Sequence, residues 1–152
     1  MTFATVPVRE NGQRVTEDWW NSLRTAGSAL ESLSGGGYIP NTEFSIANNQ
    51  AATNVTGLVF AGSSYRTAFI DYQVYRTTST TERVESGVLV ANYKTVAAAW
   101  YIDNLGGFLG DSGVTFTITA SGQVQAASDN MSSGSAYTGK IIFRARTISV
   151  ES

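Results

Sequence analysis

Chemistry in this 152-residue chain has to come from carboxylates, because the sequence holds no histidine and no cysteine. That removes thiolate and imidazole metal sites, disulfides, the Ser-His-Asp triad and the commonest general base near neutral pH. Twelve acidic residues remain. Glu82 and Glu85 flank Arg83, and Asp103 and Asp111 flank Gly106-Gly107. A glycosidase needs two carboxylates on opposite sides of a sugar ring. Asp71 and Asp111 are one pair that could converge, but nothing in their spacing brings them together, and carboxylates in turns ordinarily accept bonds from nearby backbone amides. Asp103-Asn104 and Asp129-Asn130 offer oxygen ligands without the alternating acidic pattern of a calcium loop. Gly35-Gly36-Gly37 follows no strand pattern and precedes no Lys-Ser or Lys-Thr, so it is not a phosphate loop. The expectation is a non-enzymatic chain with no catalytic residues, no metal and no cofactor.

Binding chemistry is better supplied. Aromatic residues make up 11% of the chain. Phe69 and Tyr75 fall on the side of their strand opposite Ile70, Tyr72 and Val74, and Tyr101 falls opposite Trp100. Arg144 and Arg146 share one side of the last strand with Ile142. These five residues, Phe69, Tyr75, Tyr101, Arg144 and Arg146, are candidate surface contacts. Tyrosine and arginine suit protein interfaces, and aromatic rings stack on sugars. A covered second sheet face or a solvated edge would use the same residues, so both readings stand.

The elements that must hold these residues are of two kinds. Residues 1–15 read as extended, with Pro7 and a turn at Asn11-Gly12. Thr16 suits a helix N-cap, and Glu17 and Asp18 favour the positive end of the helix dipole. Trp19, Leu23, Ala26, Leu30 and Leu33 then recur at spacings of four, three, four and three, with Trp20 beside them. The spacing predicts a helix over about residues 17–33, ended at Gly35. Its apolar stripe, Trp19, Trp20, Leu23, Leu30 and Leu33, is a candidate protein interface, or packs on the chain's own β-body.

After the glycines the period becomes two. Residues 40–54 read as a polar connection or an irregular strand. From residue 55 onward, alternation marks strands around Ile70-Tyr72-Val74, Val84-Val88-Val90 (broken near Gly87), Ala98-Trp100-Ile102, Val114-Phe116-Ile118, Val124 and Ile141-Phe143-Ala145. The organisation expected is an N-terminal docking segment over 1–34, a Gly-rich hinge and connection over 35–54, and an antiparallel β-sandwich over 55–152. The fold class is mainly β. Its inner faces would bury Ile70, Tyr72, Trp100, Phe116, Ile118, Ile141 and Phe143.

Charged residues are only 14% of the chain against roughly 25% in a typical soluble domain. The net charge is −2 and the ten basic residues are scattered, which disfavours a nucleic-acid partner. The first residues are too polar for a signal peptide and no apolar run approaches a membrane span, so the expectation is synthesis in a cytoplasm without membrane insertion.

The stretch Asn11-Gly12-Gln13-Arg14-Val15-Thr16-Glu17-Asp18-Trp19-Trp20-Asn21-Ser22-Leu23-Arg24 resembles the N-terminal segment of tailed-bacteriophage structural proteins. Gly113-Val114-Thr115-Phe116-Thr117-Ile118-Thr119 with Gly122-Gln123-Val124-Gln125, and the closing Tyr137-Thr138-Gly139-Lys140-Ile141-Ile142-Phe143-Arg144-Ala145-Arg146-Thr147, are similar to β-sandwich modules of phage virion accessory proteins. The resemblance covers roughly half the chain and carries folding motifs, not active-site residues. It implies a virion protein of tail or collar fibre, adaptor or capsid-decoration type. Other virion proteins would be its partners, a homotrimer its assembly, and a host glycan a further ligand. If the helix stripe docks the chain, Trp19→Ala with Leu23→Ala abolishes incorporation into particles while the β-body keeps its far-ultraviolet spectrum. Normal incorporation of the double variant would remove the docking role.

Overall fold

Strands that alternate apolar and polar residues must cover the apolar side, and two sheets facing one another do so. The computed structural model of the chain describes residues 21–22 and 37–150. Its eight described strands are β1 (Tyr38–Ser45), β2 (Thr53–Val59), β3 (Tyr65–Thr77), β4 (Glu82–Lys94), β5 (Ala99–Gly110), β6 (Val114–Ile118), β7 (Gln123–Ser128) and β8 (Thr138–Ser149). They form a five-stranded sheet in the order β1-β8-β3-β4-β5 and a three-stranded sheet in the order β2-β7-β6. Every pairing is antiparallel. The protein is thus mainly β, as expected.

Contacts divide the chain between Ser34 and Gly35, and all eight strands lie in the second unit. In the first, Asn21 and Ser22 have helical backbone. The rest of the helix expected over 17–33, including Trp19, Trp20, Leu23, Leu30 and Leu33, lies outside the described residues and stands as an expectation.

One apolar core lies between the sheets. Ile70, Val74, Leu89, Ile141 and Phe143 from the larger sheet are buried with Val55, Leu58, Val124 and Ala126 from the smaller. The Tyr72 ring of β3 meets Phe116 of β6 edge-on, with centroids 4.9 Å apart. Trp100 packs between Phe60 and Tyr93 at 5.8 and 5.6 Å. At about 1.5–3 kcal/mol per large buried side chain, this core is sufficient without a disulfide. All seven residues expected on the inner faces are there, with Phe116 and Ile118 partly rather than fully buried.

Of the two alternatives for residues 40–54, the irregular strand holds at their start: residues 38–45 form β1, an edge strand on β8. The register slips between Ile39 and Thr42, which destroys the period of two, and Pro40 is tolerated because an edge strand has one unpaired side. Two local expectations are corrected. Ala98 belongs to the turn before β5, with a φ of 48°. Finally, β4 runs unbroken through Gly87, and only its pairing with β5 shifts, between Gly87 and Leu89. Glycine is needed there because the Tyr72 ring crosses directly over it: a Cβ at that position would lie 2.9 Å from the Tyr72 hydroxyl. Gly87→Ala should therefore destabilise the protein by about 1–3 kcal/mol in urea unfolding, as overpacking does. An added Tyr72→Phe should not restore the stability, because the ring carbons still lie 3.0 and 3.1 Å from the new Cβ and Glu85 loses a donor. Full restoration would show that the ring itself does not clash.

Candidate functional site

The residue that organises the loops is Arg76. The alternation Ile70, Tyr72, Val74, Arg76 points it into the interior at the end of β3, and its relative exposure is 0%. A buried guanidinium requires acceptors for its five N–H groups. Nη1 donates to the Ser112 carbonyl at 2.5 Å and to Asp129 Oδ1 at 2.6 Å. Nη2 donates to the Asp129 carbonyl at 2.6 Å and to Asn48 Oδ1 at 3.3 Å, and Nε donates to the Tyr137 hydroxyl at 3.0 Å. The β1–β2, β5–β6 and β7–β8 connections are all held by this one side chain. Arg83 adds a second bond to Asp129, at 2.8 Å to Oδ2. Nearby, the buried Glu85 carboxylate accepts from the Tyr72 hydroxyl at 2.8 Å and from Ser112 N and Oγ at 2.8 and 2.7 Å.

The chemistry of this network is structural. Hydrogen bonding from Arg76, then from Arg83, holds the Asp129 carboxyl below its ordinary range against the opposing effect of burial. Burial, followed by the bond to Glu85 and its charge, pushes the Tyr72 phenol up. Between β5 and β6 the sheets leave a cleft of about 440 Å³ lined by Leu89, Ile102, Val114, Phe116, Tyr72 and Asp111. Glu85 and Asp129 both border it, but their oxygens are already engaged. Asp71 does not converge with Asp111: it lies on the far face of the large sheet, bonded to Arg144 Nε at 2.8 Å. Asp103 accepts from the Asn104 backbone N–H at 2.8 Å, the local bond expected of a turn-like aspartate. Among the described residues no group of three or more acidic side chains could hold a metal ion.

The outer face of the five-stranded sheet gathers all five candidate contact residues. Pairing registers align Tyr38, Arg146, Phe69, Val90 and Asp103 in one row across the five strands. The Arg146 guanidinium lies 4.7 Å over the Phe69 ring, and Lys94 Nζ lies 4.4 Å over Tyr101. Arg144 and Asp71 pair in the next row, and Tyr75 neighbours Val84 and Lys140. A hollow of about 390 Å³ opens among Tyr38, Asp71, Arg144 and Arg146. Apolar side chains on this face stand in solvent: Tyr38 is 54% exposed, Tyr101 48%, Leu109 80%, Ile142 38% and Ile148 54%. The outer face of the small sheet carries mostly Asn54, Thr56, Thr117, Gln123 and Gln125, with one exposed apolar side chain, Val59 (54%), beside Gln123. The large sheet thus exposes more aromatic and aliphatic side chains than the small one, interspersed with charged pairs such as Arg144–Asp71 and Lys140–Glu43.

Alternation found the face but not the clamp. Arg76 continues the inward parity of β3, and that was its one signal in the sequence; its partners lie 28 to 61 positions away.

No protein family and no curated protein matches the chain. Among solved structures, the tailspike protein of Acinetobacter phage vB_ApiP_P1 is similar over 75% of the chain at 15% identity, with a TM-score of 0.38. The match spans 22% of the tailspike chain. A likeness this slight transfers neither fold nor function.

The clamp has a pH signature. Asp129 is held ionised in the fold, so its contribution is present above the ordinary aspartate range, near pH 4, and is lost as pH falls through its depressed folded value. Asp129→Asn should cost about 2–3 kcal/mol at pH 7, less than a fully buried pair because the carboxylate is half exposed. The cost should shrink below pH 4. An equal cost at pH 7 and pH 3 would show that the charge does not matter.

Proposed function

We propose that the chain is a non-enzymatic structural protein of a bacteriophage particle. In this reading residues 1–34 seat it on other virion proteins, and the two-sheet body is packed or displayed, as in a tail or collar fibre or an adaptor. The observation that supports an assembly role is the contrast between the two outer sheet faces. The large sheet exposes Tyr38, Tyr101, Leu109, Ile142 and Ile148 alongside Arg144 and Arg146, and interfaces are enriched in aromatic residues and arginine. The phage setting is supported by the resemblances at residues 11–24, 113–125 and 137–147. A structural rather than catalytic role is supported by the carboxylates of the network, which are spent on Arg76, Arg83, Tyr72 and Ser112.

A capsid-decoration role would use the same face. A host-recognition role is favoured by one separate observation, the hollow among Tyr38, Asp71, Arg144 and Arg146, where an aromatic ring and a charged pair could engage a sugar.

Antibodies against the chain should label one position on purified particles by immunogold electron microscopy, at a fixed copy number by quantitative mass spectrometry. Complete, infective particles lacking the chain would overturn the reading, as would release of reducing sugar from host polysaccharide by the purified protein. In a glycan array of the full chain, binding lost in Arg144→Ala would favour host recognition.

A further inference from the structure

We propose that the outer face of the five-stranded sheet pairs with the same face of a second copy of the chain, about a two-fold axis running along the strands. The inference rests on reading that face as an assembly surface, and it names the occupant.

The first argument is size. Five strands at about 4.8 Å and ten residues at about 3.4 Å make a face of roughly 24 by 34 Å, on the order of 800 Å². That equals what each partner contributes to a standard stable interface. Phe69, Val88 and Val90 lie at the middle of β3 and β4, beside Asp71, whose carboxylate is held by Arg144 of β8.

The second argument is charge. Reading the central row from β1 to β5 gives Tyr38, Arg146, Phe69, Val90 and Asp103. The positive member lies on one side of Phe69 and the negative member on the other. Arg144 of the neighbouring row already has Asp71, and Lys140 has Glu43 at 2.7 Å. Arg146 makes no ion pair among the described residues, having only the Phe69 ring beneath it, and Asp103 bonds only its own neighbour's amide.

A two-fold axis along β3 carries each β8 over the partner's β4 and each β1 over the partner's β5. Arg146 of each copy is then offset by one strand spacing, about 4.8 Å, from Asp103 of the other across a sheet-to-sheet gap of about 10 Å, a span that an arginine and an aspartate side chain bridge together. Tyr38 stands over the same carboxylate. Phe69 meets Phe69 on the axis, and in the next row the two Asp71 carboxylates face one another, each bonded to its own Arg144. The contact is isologous, so each complementary pair occurs twice. An axis across the strands would instead set arginine against arginine.

A row with one sign on each side is self-complementary, whereas a surface shaped for an unrelated partner has no reason to be. The pairing yields a dimer, or an even-numbered assembly, in place of the trimer that the phage resemblance implies.

The test is charge reversal read by sedimentation equilibrium of the full chain. The wild-type protein should run at twice the chain mass. Arg146→Glu and Asp103→Arg, each placing like charges together, should weaken pairing by about tenfold or more. The double variant should return to within about threefold of wild type, because the exchanged pair is again complementary. Both positions are exposed, and unchanged thermal unfolding at low concentration shows that the variants remain folded.

A monomeric or trimeric wild type overturns the pairing, and so does a double variant no stronger than the singles. Loss of glycan binding in Arg146→Glu with a monomeric wild type identifies a sugar as the occupant and also overturns it. A monomeric chain that is still present in particles removes this inference alone. A self-pairing chain absent from particles removes the virion reading alone.

Discussion

The fold depends on burying one arginine. Arg76 lies where the apolar core between the two sheets gives way to the loops at one end. A guanidinium cannot be stripped of water there unless nearly every N–H finds an acceptor. The acceptors come from three separate connections: Asn48 between β1 and β2, Ser112 between β5 and β6, and Asp129 and Tyr137 between β7 and β8. Meeting that requirement therefore fixes how the three-stranded sheet is tied to the five-stranded one. The Glu85, Tyr72 and Ser112 cluster extends the tie across the sheet, with Gly87 giving Tyr72 room to lie flat.

Because polar side chains at this end are committed to one another, the functional interest moves to a surface. The network closes the loops that elsewhere in two-sheet proteins are free to carry sites. What remains unspent is the outer face of the large sheet. Its exposed Tyr38, Tyr101, Leu109, Ile142 and Ile148 stand among cross-strand Arg and Asp, whereas the small sheet's outer face is mostly amides and hydroxyls. An assembly surface is the simplest use of that contrast.

How much of this was legible in the sequence follows from what each residue type signals by itself. Strand β6 was legible because its threonines alternate cleanly with Val114, Phe116 and Ile118, and β3 and β8 because their inner residues Ile70, Val74, Ile141 and Phe143 keep a period of two. Strand β1 was legible only as one of two alternatives, since its register slip and Pro40 erase the period. The continuity of β4 was hidden because glycine in a strand usually marks a bulge or break, and the reason for Gly87, a ring from β3, is a tertiary fact. Tyr75, Phe69, Tyr101, Arg144 and Arg146 were assigned to an outer face by parity, and they share one. Arg76 and Glu85 were overlooked as buried residues because a charge reads as surface until its partners are known. Those partners are distant in sequence. The N-terminal stripe at Trp19, Trp20, Leu23, Leu30 and Leu33 rests on periodicity alone.

The central claim is that the large sheet's outer face is a covered surface in the working state of the protein. Carbene footprinting of the chain in its isolated and assembled states reads this residue by residue. The account predicts that assembly protects Tyr38, Phe69, Tyr101 and Ile142 while Asn54, Thr117 and Gln125 on the small sheet label equally in both states. Protection of the small-sheet residues, with Tyr38 and Ile142 still labelled in the assembly, would contradict it.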